Sequence, residues 1–187
     1  MHEVELLRLP LAFGRAHADV TLSEGGAVAT RGAAGGWSRT AASTVAMRSG
    51  RHFARFTVVE ARSMMFFGVI RPGWDVEGGM YAPDGDGHCF YWTADGQRYP
   101  DGSEWEGRED ANEGDRIGML LDLDQGSMTI WKNDVRLGVM QAEGLRGPLC
   151  WAVEQRGQHT DRVRAGARVA DGGGAGRRSG VAGGKRG

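Results

Sequence analysis

Between residues 19 and 165 the chain alternates short apolar runs with Gly, Asp, Asn and Pro punctuation, and its apolar positions recur every second residue. Within residues 53–59, Ala54, Phe56 and Val58 share one side while Arg55 and Thr57 point the other way, which predicts a strand with one buried face. Ile117, Met119, Leu121 and Leu123 form a second stripe of this kind, and Val135, Leu137 and Val139 a third. Residues 124–127 and 132–135 separate these stripes at hairpin length and tolerate positive φ or bond locally, so three consecutive antiparallel strands are predicted. Each sheet must cover its apolar face, so many short strands without helical periods predict a two-sheet sandwich or a barrel. Phe56, Val58, Phe67, Val69, Leu121, Ile130, Trp131 and Val153 are the expected core. Trp92 and Trp151, like Trp131, lie in or beside strands and are expected to pack inward, whereas Trp37, Trp74 and Trp105 sit among Gly, Asp and Glu, where a ring caps the sandwich or meets a partner.

Composition sharpens this picture in one respect. Glycine accounts for 32 of 187 residues, more than twice the typical ~7%, and it weakens helices while serving turns and tails. The densest apolar run, at 64–70, is far shorter than the ~20 residues that span a bilayer, so no membrane role is expected. Glu3 and Glu5 stand where an export signal carries positive charge, and two cysteines, Cys89 and Cys150, do not make a disulfide framework. A cytoplasmic location is expected, with the nucleus also open. The near-neutral total of -1 hides an asymmetry: residues 166–187 carry five basic residues against Asp171, a net +4, which leaves -5 on the body. That Gly/Arg-rich tail lacks aromatics and any period and is expected to be disordered and solvated. With few cations and no stacking rings, a nucleic-acid role is disfavoured.

The residues with chemistry to offer are paired carboxylates and two cysteines. Glu104 with Glu106 and Asp122 with Asp124 have same-face spacing on a strand, as a glycoside-cleaving pair requires, yet they sit in turn-rich sequence that favours solvated loops. No Gly-x-Ser-x-Gly elbow or phosphate-cradling loop occurs, and Cys89 falls in an apolar run where a free thiol acts as a small hydrophobe. The segment Asp84-Gly85-Asp86-Gly87 has the oxygen-rich character of a calcium loop without its later glutamate and is expected to be a turn. Neither a cofactor, a metal nor an enzymatic activity is expected.

Several segments taken together resemble SPRY domains. Ser49-Gly50-Arg51-His52-Phe53 looks like the family's Gly-x-His-aromatic opening strand, followed by the apolar strand ending Phe67-Gly68-Val69-Ile70. Gly114-Asp115-Arg116-Ile117-Gly118 resembles its Gly-Asp-x-Ile-Gly strand, Thr129-Ile130-Trp131-Lys132-Asn133 its next strand and turn, and Leu137-Gly138-Val139 and Gly147-Pro148-Leu149 complete the series. The resemblance implies an all-β fold, a bent antiparallel sandwich of the concanavalin-like jelly-roll kind over residues 13–165, between an N-terminal segment 1–12 and the tail 166–187. Arg55 departs from the acidic residue many members carry, and the chain lacks the family's closing apolar and proline residues after Val163, so a ragged last strand is expected.

The resemblance also implies a protein-recognition module that binds a protein or peptide partner through loops at one end. No RING spacing, heptad or ligase-recruiting box can be placed here, so any effector is expected to arrive as a partner. Residues 71–81 concentrate Arg71, Trp74 and Tyr81, types enriched at interface hot spots. Tyr81 stands where peptide-binding members carry a tyrosine, and Glu154 and Gln155 replace their Trp-Gly pair, so their peptide preference is not expected to transfer. The candidate partner-binding set is Arg31, Arg71, Trp74, Tyr81, Glu154, Gln155 and Arg156, with Arg31 and Arg71 favouring an acidic or polar peptide. The alternative reading is a carbohydrate-binding or carbohydrate-cleaving sandwich.

Overall fold

The computed structural model describes residues 11–33, 38–62 and 64–166. Trp37 and the tail beyond Gly166 lie outside the described residues. Strand order follows the predicted punctuation: β1 (Phe13–Ala16), β2 (Val20–Ser23), β3 (Val28–Arg31), β4 (Ser38–Ser43), β5 (Arg51–Glu60), β6 (Met64–Ile70), β7 (Cys89–Trp92), β8 (Arg98–Tyr99), β9 (Arg116–Asp122), β10 (Ser127–Lys132), β11 (Val135–Gln141), β12 (Cys150–Arg156) and β13 (Asp161–Gly166). Two antiparallel sheets result, one ordered β1-β4-β12-β6-β7-β8 and the other β11-β10-β9-β5-β13-β3-β2. The fold is therefore an all-β sandwich.

Alternation on each strand divides its residues between the core and the outside. On β5 the inward set is Ala54, Phe56 and Val58, all fully buried, and Ile117, Met119 and Leu121 of β9 join them from the neighbouring strand. Across the interior Phe56 stacks on Phe67 of β6 at 5.1 Å and meets Trp151 of β12 edge-on at 6.2 Å. Burying rings of this size supplies much of the drive to close the sandwich.

Four expectations are corrected. Trp131 is not in the core, because Met128 and Ile130 take the inward positions of β10 and place Trp131 outside, edge-on to Phe53 at 6.0 Å. The stripe Val135, Leu137 and Val139 reaches the core only through the half-buried Leu137: Val135 and Val139 are 65% and 42% exposed while Gly138 and Met140 are buried. Two register shifts between β10 and β11 rotate that strand relative to its neighbour. Trp92, expected inside, lies on the outward side of β7, stacked on Phe66. The last strand is not ragged, since β13 pairs with β3 along one edge and β5 along the other, with one irregularity between Arg162 and Val163.

The turns show why particular residues stand where they do. The β10–β11 turn uses Asn133 and Asp134, both at positive φ (50° and 71°), as a two-residue hairpin loop requires. In the β9–β10 turn the carboxylate of Asp122 accepts from Arg51 Nε and from the backbone N–H groups of Asp124 and Gln125, while Asp124 accepts from the N–H of Gly50. Glu104 receives Arg108. These carboxylates are engaged in local structure. Cys89 and Cys150 are separate buried free thiols, and burial pushes the Cys89 thiol up to about 12.

Candidate functional site

The outward face of the six-stranded sheet has a small apolar layer of its own. Phe66 and Ile70 of β6, Phe90 of β7, and Cys150 and Ala152 of β12 point away from the main core, and the segment 71–87 folds back over them. Trp74, Val76 and Tyr81 are its half-buried contacts, while Ala82 is buried outright. A short 3-10 turn, Ala82–Asp84, carries Pro83 near its start and ends the return.

His88 ties the two ends of this segment together. Its Nδ1 donates to the carbonyl of Ala82 at 2.7 Å, and its Nε2 accepts from the N–H of Arg71 at 3.0 Å, an arrangement that only the neutral ring satisfies. Burial holds its pKa below the ordinary value. Trp74 packs edge-on against it at 4.9 Å. Arg71 adds a second tie, donating through Nη1 to the carbonyl of Arg146 at 2.6 Å, and its guanidinium lies over Gly87, where a side chain would collide with it. Arg15 donates to the carbonyl of Trp74 at 3.1 Å.

Beyond the tied ends the surface is aromatic. Tyr81 stands edge-on to Phe66 at 5.4 Å and 81°, Tyr99 does the same at 5.2 Å and 83°, and Trp92 lies parallel to Phe66 at 5.9 Å. Tyr81, Trp92 and Tyr99 are half-buried, and the guanidinium of Arg156 sits 4.8 Å from the Tyr81 ring centroid. Burial holds the Tyr81 phenol protonated, well above its usual range. Met64 and Met80 are 44% and 68% exposed. A cleft of about 410 Å³ between Met64, Thr93 and Asn112 opens beside the start of β6.

The predicted site residues divide into three groups. Tyr81 and Arg156 come together on the open aromatic surface, and Arg71 and Trp74 lie at the base of the covering segment, where their contacts hold it in place. Arg31, Glu154 and Gln155 are fully buried. Arg31 donates to the carbonyl of Gly157, and burial depresses its pKa while Asp161 opposes that shift. Glu154 accepts from the hydroxyls of Ser38 and of Thr40, the latter at 2.5 Å; burial raises its pKa to about 7, against the opposing pull of those hydroxyls and of Arg31 and Arg39. Gln155 donates to the carbonyl of Asp161 at 3.2 Å. None of the three is presented to solvent, and Glu154 stands on the outward side of β12, paired in register with Phe66. Phe66, Trp92 and Tyr99 were missed as site residues. The signal for Phe66 lay in the pair Phe66-Phe67, since adjacent large residues on a strand occupy both faces.

No family model matches the sequence, and no curated protein matches it. Solved structures do. The SPRY domain of human HERC1 superposes with a TM-score of 0.67 at 16% identity over 81% of this chain and 94% of that one. A human SPRY domain gives 0.62 at 16% identity over 81% and 97%, and the TRIM65 PSpry domain gives 0.62 at 16% identity over 84% and 89%. The chain has the fold of SPRY domains.

Proposed function

We propose that this SPRY-fold chain is a recognition module that binds a protein or peptide partner through the outward face of its six-stranded sheet, at Tyr81, Trp92, Tyr99 and Arg156. The observation that carries this reading is the half-buried aromatic cluster on Phe66, bordered by the exposed Met80. Large amphipathic rings of this kind give much contact area at small entropic cost, and they dominate the energetics of interfaces. The covering segment is held at both ends by His88 and again by Arg71, so the surface is preformed and a ligand does not bear the cost of ordering it. Arg71 and Trp74 act as positioning residues beneath that surface.

Peptides selected from a random phage-displayed library on the immobilised protein test this directly. Their affinities for the parent and for Tyr81→Ala are then compared by calorimetry, with melting of both proteins measured alongside. A loss of ~1–2 kcal/mol or more, with Tyr81→Ala still folded at the assay temperature, is the expected result. Selected peptides that bind both proteins equally would place the binding surface elsewhere.

A further inference from the structure

The charge around this face points to the chemistry of its ligand, an inference that rests on the recognition surface proposed above. Segment 71–87 carries four carboxylates, Asp75, Glu77, Asp84 and Asp86, against the single Arg71. All four carboxylates are exposed. Arg71 and Arg15 are turned to the carbonyls of Arg146 and Trp74, and Arg31 is buried beneath. The pair expected to attract an acidic peptide, Arg31 and Arg71, is therefore not presented as a positive surface, and Arg156 over the Tyr81 ring is the cation set against these four carboxylates.

The aromatic cluster favours cations on independent grounds. Tyr81 and Tyr99 are inclined to one another by 79°, and Trp92 and Tyr99 by 84°, so Tyr81 and Tyr99 stand as walls edge-on to Phe66 while Trp92 lies parallel to it. Ring faces are negative in their quadrupole and attract guanidinium and ammonium groups. This chain's own Arg156 already lies over the Tyr81 face at 4.8 Å, so the surface accommodates a guanidinium in the required geometry. Asp84 follows Tyr81 by three residues, its N–H donates to the Tyr81 carbonyl at 3.1 Å, and its carboxylate is exposed.

We propose that the face takes a basic peptide segment, one arginine or lysine of which takes the place of Arg156 over the Tyr81 ring and beside Tyr99 while Asp84 and Asp86 supply the counter-charge. The aromatic walls give the contact area, and the carboxylates select the sign and speed the encounter at low salt. Met80, at the exposed edge, offers an adaptable apolar contact to the flanking peptide.

The phage-displayed selection decides this through composition, followed by calorimetry on a synthetic copy of a selected peptide. Peptides enriched in Arg and Lys over the input library are expected, with affinity that falls as salt is raised. The double variant Asp84→Asn with Asp86→Asn should lose at least about five-fold in affinity and flatten the salt dependence, while Tyr81→Ala loses a similar factor. Melting should not change in the double variant, and Tyr81→Ala should remain folded at the assay temperature. Enrichment in Asp and Glu, the lack of any Arg- or Lys-rich peptide, or full affinity in the double variant would overturn the proposal. In those cases a loss of binding in Tyr81→Ala still upholds the recognition face, whereas selected peptides indifferent to Tyr81 refute the face itself.

Discussion

Glu154 is the group through which rising pH weakens this fold. Its side chain has no exposed surface, and burial lifts its pKa to about 7 from the ordinary 4.5 despite the Ser38 and Thr40 hydroxyls and the charges of Arg31 and Arg39. A folded value above the unfolded one means that the folded protein keeps its proton longer, so this group's contribution is complete below 4.5 and is lost as pH rises through 7. The gap between 4.5 and about 7, at ~1.4 kcal/mol per pH unit, amounts to about 3 kcal/mol. For a chain of this size that is roughly 6–12 °C in Tm. Glu154→Gln keeps the shape and can still bond both hydroxyls, which rotate to donate or accept, but it carries no charge. Urea midpoints of the two proteins, measured from about pH 4.5 to about pH 8.5 and subtracted, isolate the effect from carboxylates common to both, such as Asp101 and Asp115. The variant should match the parent at the acid end and exceed it by up to about 3 kcal/mol at the alkaline end. Parallel curves, or a variant less stable at about pH 8, would refute the reasoning.

Other perturbations test other parts of the molecule. Phe56→Ala removes a fully buried ring that contacts both Phe67 and Trp151 and should cost about 3–5 kcal/mol in urea unfolding; a cost below ~1 kcal/mol would deny it a central place. A Cβ on Gly68 would lie 2.0 Å from the carbonyl oxygen of Cys89, so Gly68→Ala must part β6 from β7 and should destabilise by roughly 1–3 kcal/mol, with loss of amide protection in β7. His88 is held neutral in the fold, so its contribution is present above the ordinary 6.5 and diminishes as pH falls below it. Protection factors of the amides in residues 71–87, each corrected for the intrinsic exchange rate at its pH, should therefore fall between about pH 7.5 and about pH 5.5, and equal protection at both would refute the two-ended tie.

What was legible in the sequence is what depends on near neighbours. The Ala54, Phe56 and Val58 stripe and the Asn133-Asp134 turn are set by pleat alternation and by φ, both of which act within a few residues. Trp131 shows where reasoning from size fails: Ile130 and Trp131 are adjacent on one strand and cannot both face inward, and alternation outweighed the larger ring. At the site, Tyr81 and Arg156 could be picked out as residue types, but the partners that give them meaning come from afar. Phe66 and Tyr99 reach Tyr81 from other strands, and the hydroxyls that shelter Glu154 belong to Ser38 and Thr40, more than 100 positions earlier. A carboxylate that faces out from a strand is ordinarily solvated; only the tertiary pairing of β12 with β4 shows that this one is enclosed.

The placement of β13 has a consequence for how the chain is made. This strand follows all the others in sequence, yet it is wedged between β5 and β3 in the seven-stranded sheet. A ribosome delivers residues 28–31 and 51–60 long before residue 161, so the facing edges of β3 and β5 wait with their N–H and C=O groups unpaired while the intervening chain is synthesised. Such open edges are templates for neighbouring chains, and sheets closed by distant pairings form slowly. The nascent chain is thus most vulnerable to aggregation in the interval just before β13 emerges, and the insertion of that one strand turns two open half-sheets into a continuous one.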